Sequence, residues 1–329
     1  MNGRRGIPRR TPVSPRVGLV VLAACALAGS TMASLSGISA TAATLTPTKV
    51  LSDTSTVSQS TASDGQSDCG GVTLYKPDGT AWACTFDDEF DGTTLDPTKW
   101  NVVQTSVDGY HSGKECDEDT SDNVFVSGGA LHLVILKTAK PFECHTPEKG
   151  PYSTQYTAGM VTTDGTFSQT YGMFEVKAAF PAATVRGLQS SLWLWPVNST
   201  YYGPTWPDSG EIDFAEWYSE YSNRVIPVVH YNAQNLDPSR TNNNCYVSDT
   251  TGYNTYEMTW TPDTITITID GQTCVTDSWR PSAPQQKPDP FNMPFYINLT
   301  TELGINTNQF NGTAPLPAET SIDWVRAWS

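Results

Sequence analysis

Three carboxylic acids fall within six residues of this chain, in the run Glu211-Ile212-Asp213-Phe214-Ala215-Glu216. Acids this close repel one another when ionised, so at least one is expected to keep its proton to higher pH than usual. A protonated acid beside an ionised one is the pair that hydrolyses a glycosidic bond. One carboxylate attacks the sugar, the other protonates the departing oxygen, and with retention of configuration they stand about 5–5.5 Å apart. On this reading Glu211 is the nucleophile and Glu216 the general acid/base. Asp213 orients Glu211 and helps hold the shared proton. The plain alternative is surface charge. Ile212, Phe214 and Trp217 count against it, because they make the segment read as a central strand, where stacked acids are costly unless used.

A strand sets a sharp condition on this chemistry. Side chains at 211 and 213 share a face, but strict alternation turns 216 to the opposite one. All three face one cleft only if a β-bulge inserts an extra residue between 213 and 216. The surroundings suit a sugar. Trp193 and Trp195 share one face of a neighbouring strand, and the loop 196–210 carries Tyr201, Tyr202 and Trp206 directly before the acids. Rim loops of this kind commonly hold specificity residues. If Ser219–Asn223 forms the next turn, residues whose numbers sum to about 443 pair across it, shifted by one for the bulge. That sets His230 near Asp213, able to bond the acid or the sugar. A buried histidine satisfied by backbone is the alternative.

The elements that must position these groups are strands throughout. Phe125-Val126 leads through Gly128-Gly129 into 130–136, and further apolar or alternating runs follow at 172–178, 190–195, 211–217 and 225–231. Thr264–Ile269 alternates cleanly and meets Asp270-Gly271, a hairpin signal; 295–299 and 322–328 close the series. Apolar residues do not recur at helical spacing over three turns. The fold class is therefore all-β, a β-sandwich jelly roll of two antiparallel sheets.

The chain opens with Arg4, Arg5, Arg9, Arg10 and Arg16, an apolar run from Val17, and small residues ending in Ala40-Thr41-Ala42. This reads as a signal peptide over 1–42, hence a secreted, extracellular protein. A lipoprotein box at Leu22-Ala23-Ala24-Cys25 is the rival processing site. Residues 43–68 form a Thr/Ser-rich flexible linker, and 69–329 one catalytic domain. Loss of the leader would remove five positive charges from a formal net charge of -15. So acidic a surface excludes nucleic acid and sulfated polymers and admits a neutral polysaccharide. No protein partner is implied, and a monomer is expected. Cys69, Cys84, Cys116, Cys144, Cys245 and Cys274 remain after the leader, an even number that implies disulfides. Six cysteines allow 15 connectivities. Sequential pairs, 69–84, 116–144 and 245–274, are favoured because each closes a short loop.

Taken in order, these residues resemble glycoside hydrolase family 16. The likeness covers nearly all of 84–329. It runs through Phe86–Gly92, Leu95–Asn101, Tyr171–Val176, Ser191–Pro196, Thr259–Asp263 and Ile322–Arg326, and Glu211–Glu216 fits the bulged E-x-D-x-x-E form of the laminarinase-like branch. The resemblance implies a jelly roll with a concave substrate cleft and retaining endo-hydrolysis. It matches Glu211 to the nucleophile, Glu216 to the acid/base and Asp213 to the assisting carboxylate. Within the family the chain is most similar to bacterial members described as β-1,3-glucanases, which share the run Gly187–Trp193. Asn123 and His230 match polar residues that line the cleft in relatives. Catalysis needs no cofactor. Many relatives bind one structural calcium, and its ligands map to Glu89, the Gly129 carbonyl and Asp323, where a strand-end salt bridge is the alternative. One departure stands out: Ala158-Gly159-Met160-Val161 replaces the Ser-x-Arg-Ile of many laminarinase-like members. That loss leaves β-1,3-glucan, mixed-linkage glucan, galactan and agar-type polymers open. A transglycosylase using the same nucleophile, or a non-catalytic carbohydrate-binding protein, are the rival functions.

Overall fold

The computed structural model of the protein describes residues 68–233 and 238–329. The expected leader, Cys25 and the linker up to residue 67 lie outside the described residues.

Alternation in the sequence becomes strand where it is cleanest. Asn254–Trp260 and Ile265–Ile269 are buried and half-buried by turns along their length. The turn after Ile269 has Asp270 at φ 48° and Gly271 at φ 75°. Both residues are left-handed, as a two-residue hairpin matched to strand twist requires. The strand expected over 225–231 is broken instead. Arg224–Val225 and Val228–His230 form two pieces, with Pro227 between them lacking the N–H a continuous ladder needs. The strand from Ala130 runs past its apolar pattern to Thr146, and Gly150–Thr162 is a further strand that the sequence pattern did not single out. Past Leu136 they pair with each other as a polar hairpin from Leu136↔Thr157 to Thr146↔Gly150.

Two layers result. In the first, Ala318–Trp328 has Gly172–Ala179 on one side, and Cys84–Asp88 and the start of Ala130–Thr146 on the other. Asn254–Trp260, Ile265–Ile269 and Gln272–Asp277 continue outward from Gly172–Ala179. The second runs Asn101–Val102, Gly150–Thr162, Phe295–Leu303, Leu188–Pro196, Glu211–Tyr218, then Val228–His230 with Arg224–Val225, and Cys245–Tyr246. The facing surfaces share one core, in which Leu131, Leu133, Phe174, Val176 and Met258 meet Leu192, Leu194, Ile297 and Leu299. Disulfides join Cys69–Cys84, Cys116–Cys144 and Cys245–Cys274, the sequential pairing.

The acidic strand departs from alternation at one place. Leu192 pairs with Ala215 and Trp193 with Asp213, so Phe214 is an extra residue opposite the step from Leu192 to Trp193. Ile212, Phe214, Ala215 and Trp217 are all fully buried in the core. Two consecutive inward residues, 214 and 215, are what put Glu216 back on the side of Glu211 and Asp213. Deleting Phe214 should restore strict alternation and leave Glu211, Asp213 and Glu216 together on the outer face, with Ile212, Ala215 and Trp217 inward. The expected outcome is a chain that still unfolds cooperatively on heating and keeps the near-ultraviolet circular dichroism of a packed core; loss of both would count against this register. Phe214→Ala, which keeps the register, should fold with a loss of about 3–5 kcal/mol.

Candidate active site

The three acids leave the sheet on its outer face, each met by a different donor. Glu211 lies opposite His230 across the ladder. Its Oε2 accepts a 2.5 Å hydrogen bond from the Trp206 indole, whose ring sits 5.0 Å from that of His230. Asp213 is only 4% exposed, and its Oδ2 lies 2.8 Å from His230 Nε2. Backbone pairing sets Val228, not His230, opposite Asp213. The contact is therefore diagonal, and the register sits two residues from the simple hairpin count. Glu216 Oε1 accepts from the Tyr218 hydroxyl at 2.7 Å and from Gln189 Nε2 at 3.2 Å.

Burial raises all three carboxyl groups, each to about 8. The charge of Asp213 raises Glu211 and Glu216 further. His230 pulls both down, as do Trp206 on Glu211 and Tyr218 on Glu216. Burial also drives the Tyr218 hydroxyl well above its ordinary range, with the charge of Glu216 adding to it. Tyr218 therefore remains a donor wherever Glu216 is ionised. A site able to hold both a protonated and an ionised carboxyl near neutrality has the makings of an acid/base pair.

Comparison with known proteins agrees with this geometry. The family model described as "Glycosyl hydrolases family 16" matches residues 113–326. The chain belongs to that family. This family 16 glycoside hydrolase is 29% identical to the "Beta-glucanase" of Rhodothermus marinus, covering 75% of this chain and 85% of that one. It is 28% identical to "Glucan endo-1,3-beta-glucosidase A1" of Niallia circulans over 73% of its own length, but spans only 37% of that relative. Among solved structures, the laminarinase from Rhodothermus marinus matches with a TM-score of 0.62 and 25% identity, over 75% of this chain and 97% of that one.

The floor of the family 16 site is apolar beside Asp213. Trp193 is 9% exposed and donates from Nε1 to Thr300 Oγ1 at 2.8 Å. With Val103 and Met160 it forms a small cluster of its own, against which Trp195 and Tyr110 pack. Met160, at the position where an arginine was expected of many relatives, thus extends an apolar floor. Loop 196–210 forms one wall. It is tied down by Asp208, which accepts from Thr205 and from Asn232 Nδ2. Trp206 reaches the acids, whereas the Tyr202 hydroxyl is engaged away from them, 2.8 Å from Asp289 Oδ1 and 2.5 Å from Asn292 Oδ1. Tyr201 is 67% exposed.

At two of the expected positions the side chains are engaged within the chain. Asn123 does not offer its amide to a ligand: it is 2% exposed, its Nδ2 donates to Val134 O and Thr157 Oγ1, and its Oδ1 accepts from Thr120. The calcium set does not fit as arranged. Glu89 is held at both oxygens by Arg326, at 2.7 and 2.8 Å, and Asp323 pairs with Lys177 at 2.8 Å. Gly129 is a left-handed turn glycine. Two cations already neutralise the two acids, which removes the charge a hard cation needs.

Tyr218 and Gln189 were not singled out in the sequence, nor was the other wall. There Tyr110 bonds Glu302 at 3.1 Å, while Glu115 accepts from the backbone of Ser112, Gly113 and Leu303. Glu115, Asp117 and Glu302 are all buried, and burial raises all three.

A carboxyl raised on folding binds more protons folded than unfolded, so its contribution lowers stability as pH climbs from about 4 to about 8. Glu211→Gln removes that penalty while keeping an acceptor for Trp206. Its melting temperature should exceed that of the parent at pH 8, with the gain fading towards pH 4. Melts across that range check it.

Proposed function

We propose that this glycoside hydrolase cleaves a neutral β-glucan internally and with retention, β-1,3-glucan of the laminarin type being its first substrate. Glu211 is the nucleophile, Glu216 the general acid/base and Asp213 the assisting carboxylate. The observation that carries the reading is the bulge at Phe214, which gathers three carboxyls of raised pKa on one face of one strand. The printed activities of the Rhodothermus marinus and Niallia circulans relatives, both glucanases, support the choice of polymer.

In the first step Glu211 attacks the anomeric carbon while Glu216 gives its proton to the leaving oxygen. The hydrogen bond from Trp206 to Glu211 Oε2 leaves Oε1 as the attacking atom. Ionised Glu216 then takes a proton from water, which displaces Glu211 from the sugar. Tyr218 and Gln189 stabilise Glu216 in that ionised state. Asp213, bonded to His230 and raised to about 8 by burial, shares its proton with Glu211 as that carboxylate departs. The acidic chain suits a neutral polymer, and Trp193 and Trp195 offer apolar faces to pyranose rings.

Glu211→Ala should lose turnover by at least about 10³-fold on every substrate, activated or not. Glu216→Ala should lose as much on laminarin yet keep glycosylation of aryl glycosides, whose leaving groups need no proton. Proton NMR of the first laminarin products should show the β anomer; an α anomer would rule out retention. Reducing-sugar release across laminarin, lichenan, galactan and agarose tests the polymer. Preference for galactan or agarose would overturn the β-glucan reading and trace to the Met160 floor.

A further inference from the structure

We propose that Glu211, Asp213 and His230 also form a binding site for a first-row divalent transition-metal ion, zinc or copper(II), and that filling it stops hydrolysis. One ligand atom from each of the three residues lies within 4.8 Å of the other two. Among the described residues this is the one group of three or more histidine, cysteine or acidic side chains so arranged. Ligand atoms bound to one such ion at 2.0–2.2 Å stand about 3–3.5 Å from one another. Asp213 Oδ2 and His230 Nε2, 2.8 Å apart, are almost at that spacing already. The remaining edges, within 4.8 Å, close by a small rotation of the half-buried Glu211 side chain.

The frame is firm. Glu211 and Asp213 share one strand, and His230 faces Glu211 from the strand hydrogen-bonded to it. Trp206 donates to Glu211 Oε2 and so restrains that carboxylate beside the other two ligands, as an outer hydrogen bond does in metal sites. One imidazole nitrogen with two carboxylate oxygens is a donor set that favours copper and zinc over magnesium and calcium. Charge favours it too. Among the described residues, neither Glu211 nor Asp213 forms an ion pair with lysine or arginine. Binding rests on this geometry alone. Inhibition rests in addition on the proposed roles of Glu211 and Asp213, because an ion on both would occupy the nucleophile and its assistant.

Calorimetric titration of zinc into the untagged chain, with excess magnesium to fill weak surface sites, should find one site per chain. His230→Asn should weaken that site at least tenfold, and His132→Asn should leave it unchanged. His132, which contacts Glu319 at 2.6 Å, is the rival imidazole–carboxylate pair. Copper(II) bound to the parent chain should show one nitrogen ligand by electron paramagnetic resonance, a readout that needs no variant to fold. Laminarin hydrolysis should fall with the zinc midpoint and return with EDTA. Absence of a site, a site that survives His230→Asn or is lost in His132→Asn, or copper without one nitrogen ligand would overturn the metal site. Zinc bound through His230 while hydrolysis continues would uphold the site and remove Glu211 and Asp213 from the catalytic roles.

Discussion

An eight-residue strand must bury four apolar side chains in a core and hold three carboxyls on its other face. Regular alternation places residues 211 and 213 together but sends 216 the other way. The extra residue at Phe214 resolves this, since Phe214 and Ala215 both turn inward and the alternation resumes one step out of phase. Everything at the site follows from that step. It brings Glu216 and Tyr218 together onto the face of Glu211 and Asp213, and it sets Asp213 beside Trp193 on the next strand. It also puts the acids on the middle of a sheet, where neighbours on both sides hold them still.

Holding three acids out of water is unfavourable, and the surrounding groups offset it unevenly. Each acid has a donor: Trp206 for Glu211, His230 for Asp213, Tyr218 with Gln189 for Glu216. None of these donors carries a fixed positive charge. A lysine or arginine would have kept the acids ionised at all working pH values, leaving no proton to give. Neutral donors orient the carboxyls yet leave their proton affinity high. In the second acidic group Glu115 accepts from backbone amides and Glu302 from Tyr110.

Much of this was legible in the chain because it is local. Spacing within Glu211–Glu216 demanded the bulge, Asp270-Gly271 announced its hairpin, and Trp193 and Trp195 share a face by simple alternation. What escaped depends on register between distant segments. Gln189 reaches Glu216 only because its strand pairs beside the acidic one, and Glu115 meets Leu303 from 188 residues away. His230 arrived at Asp213 by a diagonal that a regular hairpin count does not give, because Pro227 and a short 3₁₀ turn at Ser219–Tyr221 intervene. Asn123 shows the limit of positional likeness. A matched position fixes where a side chain starts, not which neighbours consume its hydrogen bonds.

The Cys245–Cys274 disulfide joins strands at the free margins of the two sheets, Cys245–Tyr246 and Gln272–Asp277. Unpaired margins are where one β protein recruits another, strand upon strand, into aggregates. Here the two margins are linked to each other, and the one from the acidic sheet is only two residues long. The opposite margins, Asn101–Val102 and Val124–Ser127, are short as well. An open sandwich thus leaves little template for polymerisation, a protection suited to a protein that must stay dispersed among long polymer chains.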